Sequence, residues 1–498
     1  MLILPIFFFI SINTALECQQ KMYPGAFKNI PLTSIPAGQA AVFRSTLDGD
    51  RLAKTMVKIS TEDEAEGFKI TLNPKIQYQD ILGFGGAFTD SAGINIAALE
   101  PSIASKLMES YFGRNGLEYN IGRVPMASCD FSTREYSYAE EKGDFALRSF
   151  NLTREDFEFK IPFIISAINL TSGSLQLFAS PWSAPGWMKT TGKMKGGGPM
   201  IAEDKYYKTY ANYFLRFFDE YRKNGIQFWG LTIQNEPSVG ADITWKWQGM
   251  NYTAEMERDF LKNYLGPALK GDELTKKLKV MILDDARALL PGWADTMFND
   301  PECSQYADGV GVHWYGNAYS PAILVRKTHE RHPNKFILAT EACAGYFAVR
   351  GPMMGDWFRA ECYADDIITD LNNFVGGWVD WNLALDETGG PNWVFNVVDA
   401  PIIVNKTAQE FYKQPMYYAL GHFSKFFARG ARSVYVKSEG SLGVVATGVV
   451  KDGRRSLVIL NKTEQTYKTT VVDGATKQSI ILELPPRSIH TVVWDKKK

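Results

Sequence analysis

The sequence has almost no net charge and few cysteines, and it lacks the short motifs that announce a metal or a cofactor. Lysine and arginine number 54 against 55 aspartates and glutamates, for a formal charge of -1. Such a balance gives no overall basic field to gather nucleic acid or an anionic membrane, and a neutral substrate read locally fits better. The five cysteines, Cys18, Cys129, Cys303, Cys343 and Cys362, are odd in number and cannot form a disulfide framework. Cys303 with Cys362 is the pairing to expect if one forms. No C-x-x-C occurs, and His329-Glu330-Arg331-His332 sets its histidines three apart rather than at the four-residue offset of a zinc helix. That run reads as a solvated helix face, so neither a metal nor a cofactor is expected. Gly83-x-Gly85 is followed by Phe88 where a dinucleotide fingerprint needs Gly or Ala, and no G-x-S-x-G elbow marks an esterase.

Long apolar runs are missing beyond the start of the chain. The opening MLILPIFFFISINTA is apolar over about ten residues, the length of a signal-peptide core, and too short to span a bilayer. It reads as a cleaved signal peptide, residues 1–15, and the chain as not transmembrane. Asn-x-Ser/Thr sequons at Asn151, Asn169, Asn251, Asn405 and Asn461 agree with a secretory route ending in the lysosome or outside the cell.

What is present is a large, aromatic-rich globular chain. Its 498 residues exceed the roughly 250 to 300 at which a single core stops growing, so two domains are expected. From about residue 80, β-rich apolar runs alternate with helical patterns, the signature of β/α units around a parallel sheet. Candidate strands fall at 81–88, 118–127, 175–182, 228–237, 279–285, 309–316, 336–343 and 376–385. Between the third and fourth, Tyr210, Tyr213, Phe214, Phe217 and Tyr221 recur at helical spacing and Gly225 supplies the stop. Eight such repeats predict an α/β chain with a (β/α)8 TIM barrel over 79–430, whose reactive groups sit at the carboxyl ends of the strands. After about residue 431 strands alternate without helices, and Lys451-Asp452-Gly453 suits a hairpin turn. Residues 431–498, joined by 30–78, are expected to form an accessory all-β, immunoglobulin-like sandwich.

The strand ends carry the chemistry. The fourth ends in Thr232-Ile233-Gln234-Asn235-Glu236-Pro237 and the seventh in Ala339-Thr340-Glu341-Ala342-Cys343. Cleaving a glycosidic bond with retention needs one carboxylic acid to protonate the leaving oxygen. It also needs a second carboxylate, roughly 5 to 5.5 Å away, to trap the anomeric centre. Strands three apart in a barrel can aim Glu236 and Glu341 across the mouth at that range. Asn235 beside Glu236 offers a hydrogen bond to the sugar 2-hydroxyl.

The segments GFGGAFTD (83–90), RVPMASCDFS (123–132), SPW (180–182), NEP, VHWY (312–315), TEAC (340–343), GGWVDWNLAL and GGPNWVFN (389–396) resemble the glucosylceramidases of glycoside hydrolase family 30. The resemblance runs from about residue 80 to the C-terminus, and it implies a retaining β-glucosidase acting on glucosylceramide or a related β-glucoside. It assigns Glu236 as acid/base and Glu341 as nucleophile. By the same likeness Asp130, Trp182, Asn235 and Trp381 hold the glucose ring, and Arg123, His313, Tyr315 and Asn396 support the two carboxylates. Trp245 and Trp247 fall where aromatic residues of the family wall the aglycone side, in a loop that otherwise differs. The family's use of an anionic lipid surface and a saposin-type activator is implied as well. Cys18 stands alone where lysosomal members have a small disulfide cluster, so residues 16–29 read as a reduced N-terminal segment. Two other readings remain: a glycosidase of the same scaffold acting on a non-lipid β-glycoside, since a barrel does not choose its substrate, and a silent binding protein that keeps the barrel.

Overall fold

The structure, a computed structural model, describes residues 35–60, 67–439 and 443–496. The expected signal peptide, the 16–29 segment and Cys18 lie outside the described residues. Eight parallel strands close into a barrel: Gly83–Ala87, Ile121–Met126, Gln176–Pro181, Gly230–Thr232, Lys279–Ala286, Gly309–His313, Phe336–Glu341 and Val375–Asn382, with the eighth pairing back to the first. Each reads as a near-continuous apolar run because both faces are covered. Among the helices outside, Asp204–Lys223 buries Tyr210, Tyr213, Phe214, Phe217 and Tyr221, and Gly225 follows at φ +81°, a left-handed turn that glycine enters at no cost.

Ile121, Phe178, Met281, Leu338 and Val379, from five different strands, form one buried cluster inside the barrel. This apolar layer fills the interior below the mouth, as expected of a barrel that is a packed core rather than a pore. Two residues further along three of these strands come Arg123, Ser180 and Thr340, all fully buried. The period of two that points the apolar residues inward carries these polar ones to the floor of the mouth.

The fourth strand is shorter than its pattern suggests. It ends at Thr232, and Glu236 lies beyond it with φ 44°. In the fifth strand the ladder to the sixth slips between Leu283 and Asp285, and both Leu283 (φ 70°) and Asp284 (φ 53°) are left-handed. That is a β-bulge, one residue added on one side of the ladder.

A nine-stranded sheet forms the second layer. It joins Gln39–Thr46, Ala53–Lys58 and Phe68–Asp80 to the six C-terminal strands from Arg432–Glu439 to Ser488–Asp495. Its core includes Ile70, Leu72, Leu457, Ile459, Val471, Val492 and Trp494. The bridge from Ser60 to Ser479 brings the sheet's two edges together, giving a β-sandwich. Asp452 (φ 49°) and Gly453 (φ 84°) make the two-residue turn between paired Lys451 and Arg454, the form favoured in hairpins. The helix Pro415–Ser424 joins the two layers, with His422 bonded to Thr491 at 2.8 Å and to Ser45 at 2.9 Å.

Cys129, Cys303, Cys343 and Cys362 are all free thiols, which corrects the expected Cys303–Cys362 pairing. Cys303 sits in the short helix Pro301–Ser304 after the fifth strand and Cys362 in Trp357–Leu371 after the seventh, so the two helices belong to non-adjacent units of the outer ring. The Asn461 sequon is also unsuited to a glycan, because its side chain is fully buried and its amide donates to the carbonyls of Gln465 and Pro485. No helix among the described residues is long and apolar enough to cross a membrane.

Candidate active site

Glu236 and Glu341 meet over the barrel mouth. Each offers a carboxylate oxygen to a group with one nitrogen of His313, all three atoms within 4.8 Å of one another. Glu341 is held by two donors: Arg123 through Nη1, and Tyr315, whose hydroxyl donates to Oε1 at 2.7 Å. The Arg123 fork also donates from Nη2 to Asn235 Oδ1 at 2.7 Å and to Asp284 Oδ2 at 2.8 Å, and from Nε to Ser180 at 3.1 Å. Its guanidinium lies over the faces of Trp182 and Trp381, 4.9 and 5.4 Å from the ring centroids. The two indoles stack on each other at 5.1 Å. A planar cation with five donors suits this site, where a lysine could not reach the same partners.

His313 bridges the two halves of the site. Nδ1 lies 3.1 Å from Glu236 Oε1 and Nε2 lies 3.0 Å from Asp284 Oδ1. Burial works against a charge on the ring, but Glu341 and Asp284 outweigh it and lift His313 to about 10. As an imidazolium it donates to both carboxylates. Asp284 is buried too, yet Arg123 and His313 hold its carboxyl far below the ordinary range, and the Thr232 and Thr340 hydroxyls donate to it at 2.7 and 2.6 Å. Glu341 is pushed up by burial, with His313 and Arg123 pulling against it. Asp130 is raised to about 7 by burial first and then by the charge of Glu341.

This constellation belongs to a sugar-cleaving family. The Glycosyl hydrolase family 30 TIM-barrel domain is matched over residues 81–427, and the family's beta sandwich domain over 430–492. The chain belongs to glycoside hydrolase family 30. As a family 30 member it is a glycoside hydrolase, and it is 60% identical to putative glucosylceramidase 3 of Caenorhabditis elegans over 98% of this chain and 96% of that one. It is 42% identical to the lysosomal acid glucosylceramidase of Mus musculus, over 93% of this chain and 90% of that one. Among solved structures, SrfJ from Salmonella typhimurium superposes with a TM-score of 0.85 at 29% identity, covering 92% of this chain and all 100% of that one.

Within this family 30 site, Arg123, Asn235, His313 and Tyr315 come together around the two carboxylates. Asn396 does not touch them. Its amide donates to Asp130 Oδ2 at 2.8 Å, and its own oxygen accepts from Arg350 at 2.9 Å. Trp245 and Trp247 pack edge to face at 4.7 Å in the loop after the fourth strand, Trp247 against the cluster that contains Trp182 and Trp381. His329 and His332 stand apart from any metal-like cluster among the described residues: His329 stacks on Phe374 at 4.0 Å and His332 bonds Asp295 at 2.8 Å. Asp284 was not singled out from the sequence, although it has more partners than any other carboxylate of the site. Two consecutive aspartates closing an apolar strand were the available signal.

Proposed function

We propose that this chain hydrolyses the β-glucosyl bond of glucosylceramide with retention, with Glu341 as nucleophile and Glu236 as acid/base. The observation that carries the reading is that one oxygen of each carboxylate lies within 4.8 Å of the other across the mouth, which supports the close spacing of retaining rather than inverting glycosidases. The Glu341 carboxylate attacks the anomeric carbon as Glu236 gives its proton to the departing ceramide oxygen, leaving a glucosyl ester. Water then attacks the same carbon, its proton passes to Glu236, and the ester bond breaks to release glucose and restore Glu341. Asp130 accepts sugar hydroxyls, the Trp182 and Trp381 faces cover the apolar side of the ring, and Asn235 holds the 2-hydroxyl.

The lipid aglycone is favoured by relatives named glucosylceramidases at 60% and 42% identity, against 26% for an endo-1,6-beta-D-glucanase of Neurospora crassa. Large apolar side chains exposed on the loops at the carboxyl ends of the strands support it as well: Ile243, Tyr319, Phe347 and Phe395 are each at least 67% exposed. An anionic lipid surface and a saposin-type activator are the partners this reading implies, and the lysosome or another secretory compartment its location. A cyclitol-epoxide inactivator of β-glucosidases, followed by peptide mapping, should modify Glu341, and a label on any other residue would overturn the mechanism. Turnover of aryl β-glucosides without turnover of glucosylceramide would keep the chemistry and replace the lipid substrate by a soluble β-glycoside.

A further inference from the structure

Alternation along the fifth strand is broken where the site needs it. Val280 and Ile282 face the outer helices and Met281 the barrel interior, so a regular strand would turn Leu283 inward and Asp284 outward. The bulge reverses this: Leu283 joins Ile282 in the outer core, and Asp284 points in to meet Arg123 and His313. Two left-handed non-glycine residues in succession are strained, so something must hold them. The Leu283 N–H lies beyond Met281, the last residue paired to the fourth strand, and it donates to the Glu257 carboxyl group at 3.3 Å. Glu257, on the helix Ala254–Phe260, is fully buried and also accepts from the Trp293 indole.

The same bulge fastens the loop that carries the acid/base. The Glu236 N–H donates to the Asp284 carbonyl at 2.9 Å, and the Ser238 N–H donates to Asp285 Oδ2 at 3.0 Å. We infer that the Leu283–Asp284 bulge, pinned from behind by Glu257, is the positioning device of the catalytic pair. Asp284 is a positioning residue that seats His313 against Glu236 and Arg123 against Glu341, and Glu257 sets where Asp284 points. The charged and titratable groups around His313 come from every side of the mouth: Arg123 on the second strand and Asp130 after it, Glu236 after the fourth, Asp284 on the fifth, Tyr315 after the sixth and Glu341 on the seventh. Of these, Asp284 is the one bonded to His313 that the proposed reaction does not itself consume or regenerate.

The inference rests on the proposed roles of Glu236 and Glu341 and is independent of the lipid aglycone. Its test uses the full chain and an aryl β-glucoside. In Asp284→Asn, kcat should fall on the order of 10- to 100-fold, since a misplacement of about 1 Å among reacting groups can cost about 100-fold, while KM changes much less. With the Asp284 charge gone, His313 releases its proton at lower pH, so the alkaline limb of kcat/KM should move down; a merely structural lesion would lower the profile without moving it. Glu257→Leu should reproduce the loss of kcat, and Glu257→Gln, which keeps an oxygen for Leu283 and Trp293, should restore most of it. If melting shows Asp284→Asn unfolded, the Glu257 pair decides alone. Wild-type kcat in Asp284→Asn and Glu257→Leu, or a loss with no pH shift and no rescue, would overturn the inference. Glu341→Gln run alongside separates the two levels, since full activity there would reject the catalytic roles themselves.

Discussion

At the residue scale, Glu341, the proposed nucleophile, is defined by what donates to it. Tyr315 gives Glu341 a hydrogen bond at 2.7 Å that favours its charged form, and a bond to a charged acceptor is worth about 1.5 to 3 kcal/mol. Tyr315→Phe removes that donor with little change of shape. Glu341 then ionises at higher pH, so the acid limb of kcat/KM should move upward and the plateau should drop by about tenfold or more. An unmoved acid limb would mean that His313 and Arg123 set the charge of Glu341 without Tyr315. The meeting of Glu236 and Glu341 was legible in the sequence because both close β-rich runs beside amide, hydroxyl and proline residues. Asp284 was not: read at period two it belongs on the outer face, and nothing in Ile282-Leu283-Asp284-Asp285 announces the added residue. Asn396 was placed beside the carboxylates by family likeness, whereas its side chain bonds Asp130 and Arg350.

At the scale of elements, the eight barrel strands could be read because parallel strands buried on both faces are short apolar runs separated by amphipathic helices. The limits of the fourth strand could not. Phe228 to Pro237 reads as one β-rich run, while the ladder stops at Thr232 and Glu236 turns left-handed. The sandwich pairs Phe68–Asp80 in parallel with Tyr467–Asp473 across almost the whole chain, a non-local choice that alternation does not encode. The loop beyond the fourth strand carries Trp245, half-buried and edge-on to Trp247. If this loop walls the aglycone side, Trp245→Ala should raise KM for glucosylceramide several-fold. The kcat on an aryl β-glucoside should stay near wild type, because no glucose-binding group is disturbed. Equal losses on both substrates would place Trp245 in support of the fold rather than the aglycone.

For the whole molecule, buried ionisable groups couple folding to pH. Burial raises Glu257 to about 8 and, with the charge of Glu341, Asp130 to about 7, and the surrounding carboxylates hold His313 at about 10. Their unfolded counterparts titrate near 4 for the acids and about 6.5 for histidine. Between pH 8.5 and 6.5 the folded chain therefore takes up protons that the unfolded chain does not, so stability rises as pH falls. The depressed Asp284 does not oppose this, because its stabilising contribution is fully present above about 4 and is lost only below that. Two sets of groups oppose it at the ends of the window: Lys189 and Lys413, lowered to about 8 by burial, toward pH 8.5, where the folded chain has released protons that the unfolded chain keeps, and the buried, neutral His422 and His490 below about 6.5, where the unfolded chain protonates its histidines. At about 1.4 kcal/mol per proton per pH unit, two such protons raise the melting temperature by a few degrees per unit in a chain of this size. Melting should accordingly occur at higher temperature at pH 6.5 than at pH 8.5, and Glu257→Gln, which cannot titrate, should flatten the slope. A melting temperature that falls on acidification across this window would show that the buried acids are charged at neutral pH, and with it would go the neutral Glu257 that lets glutamine substitute beneath the bulge.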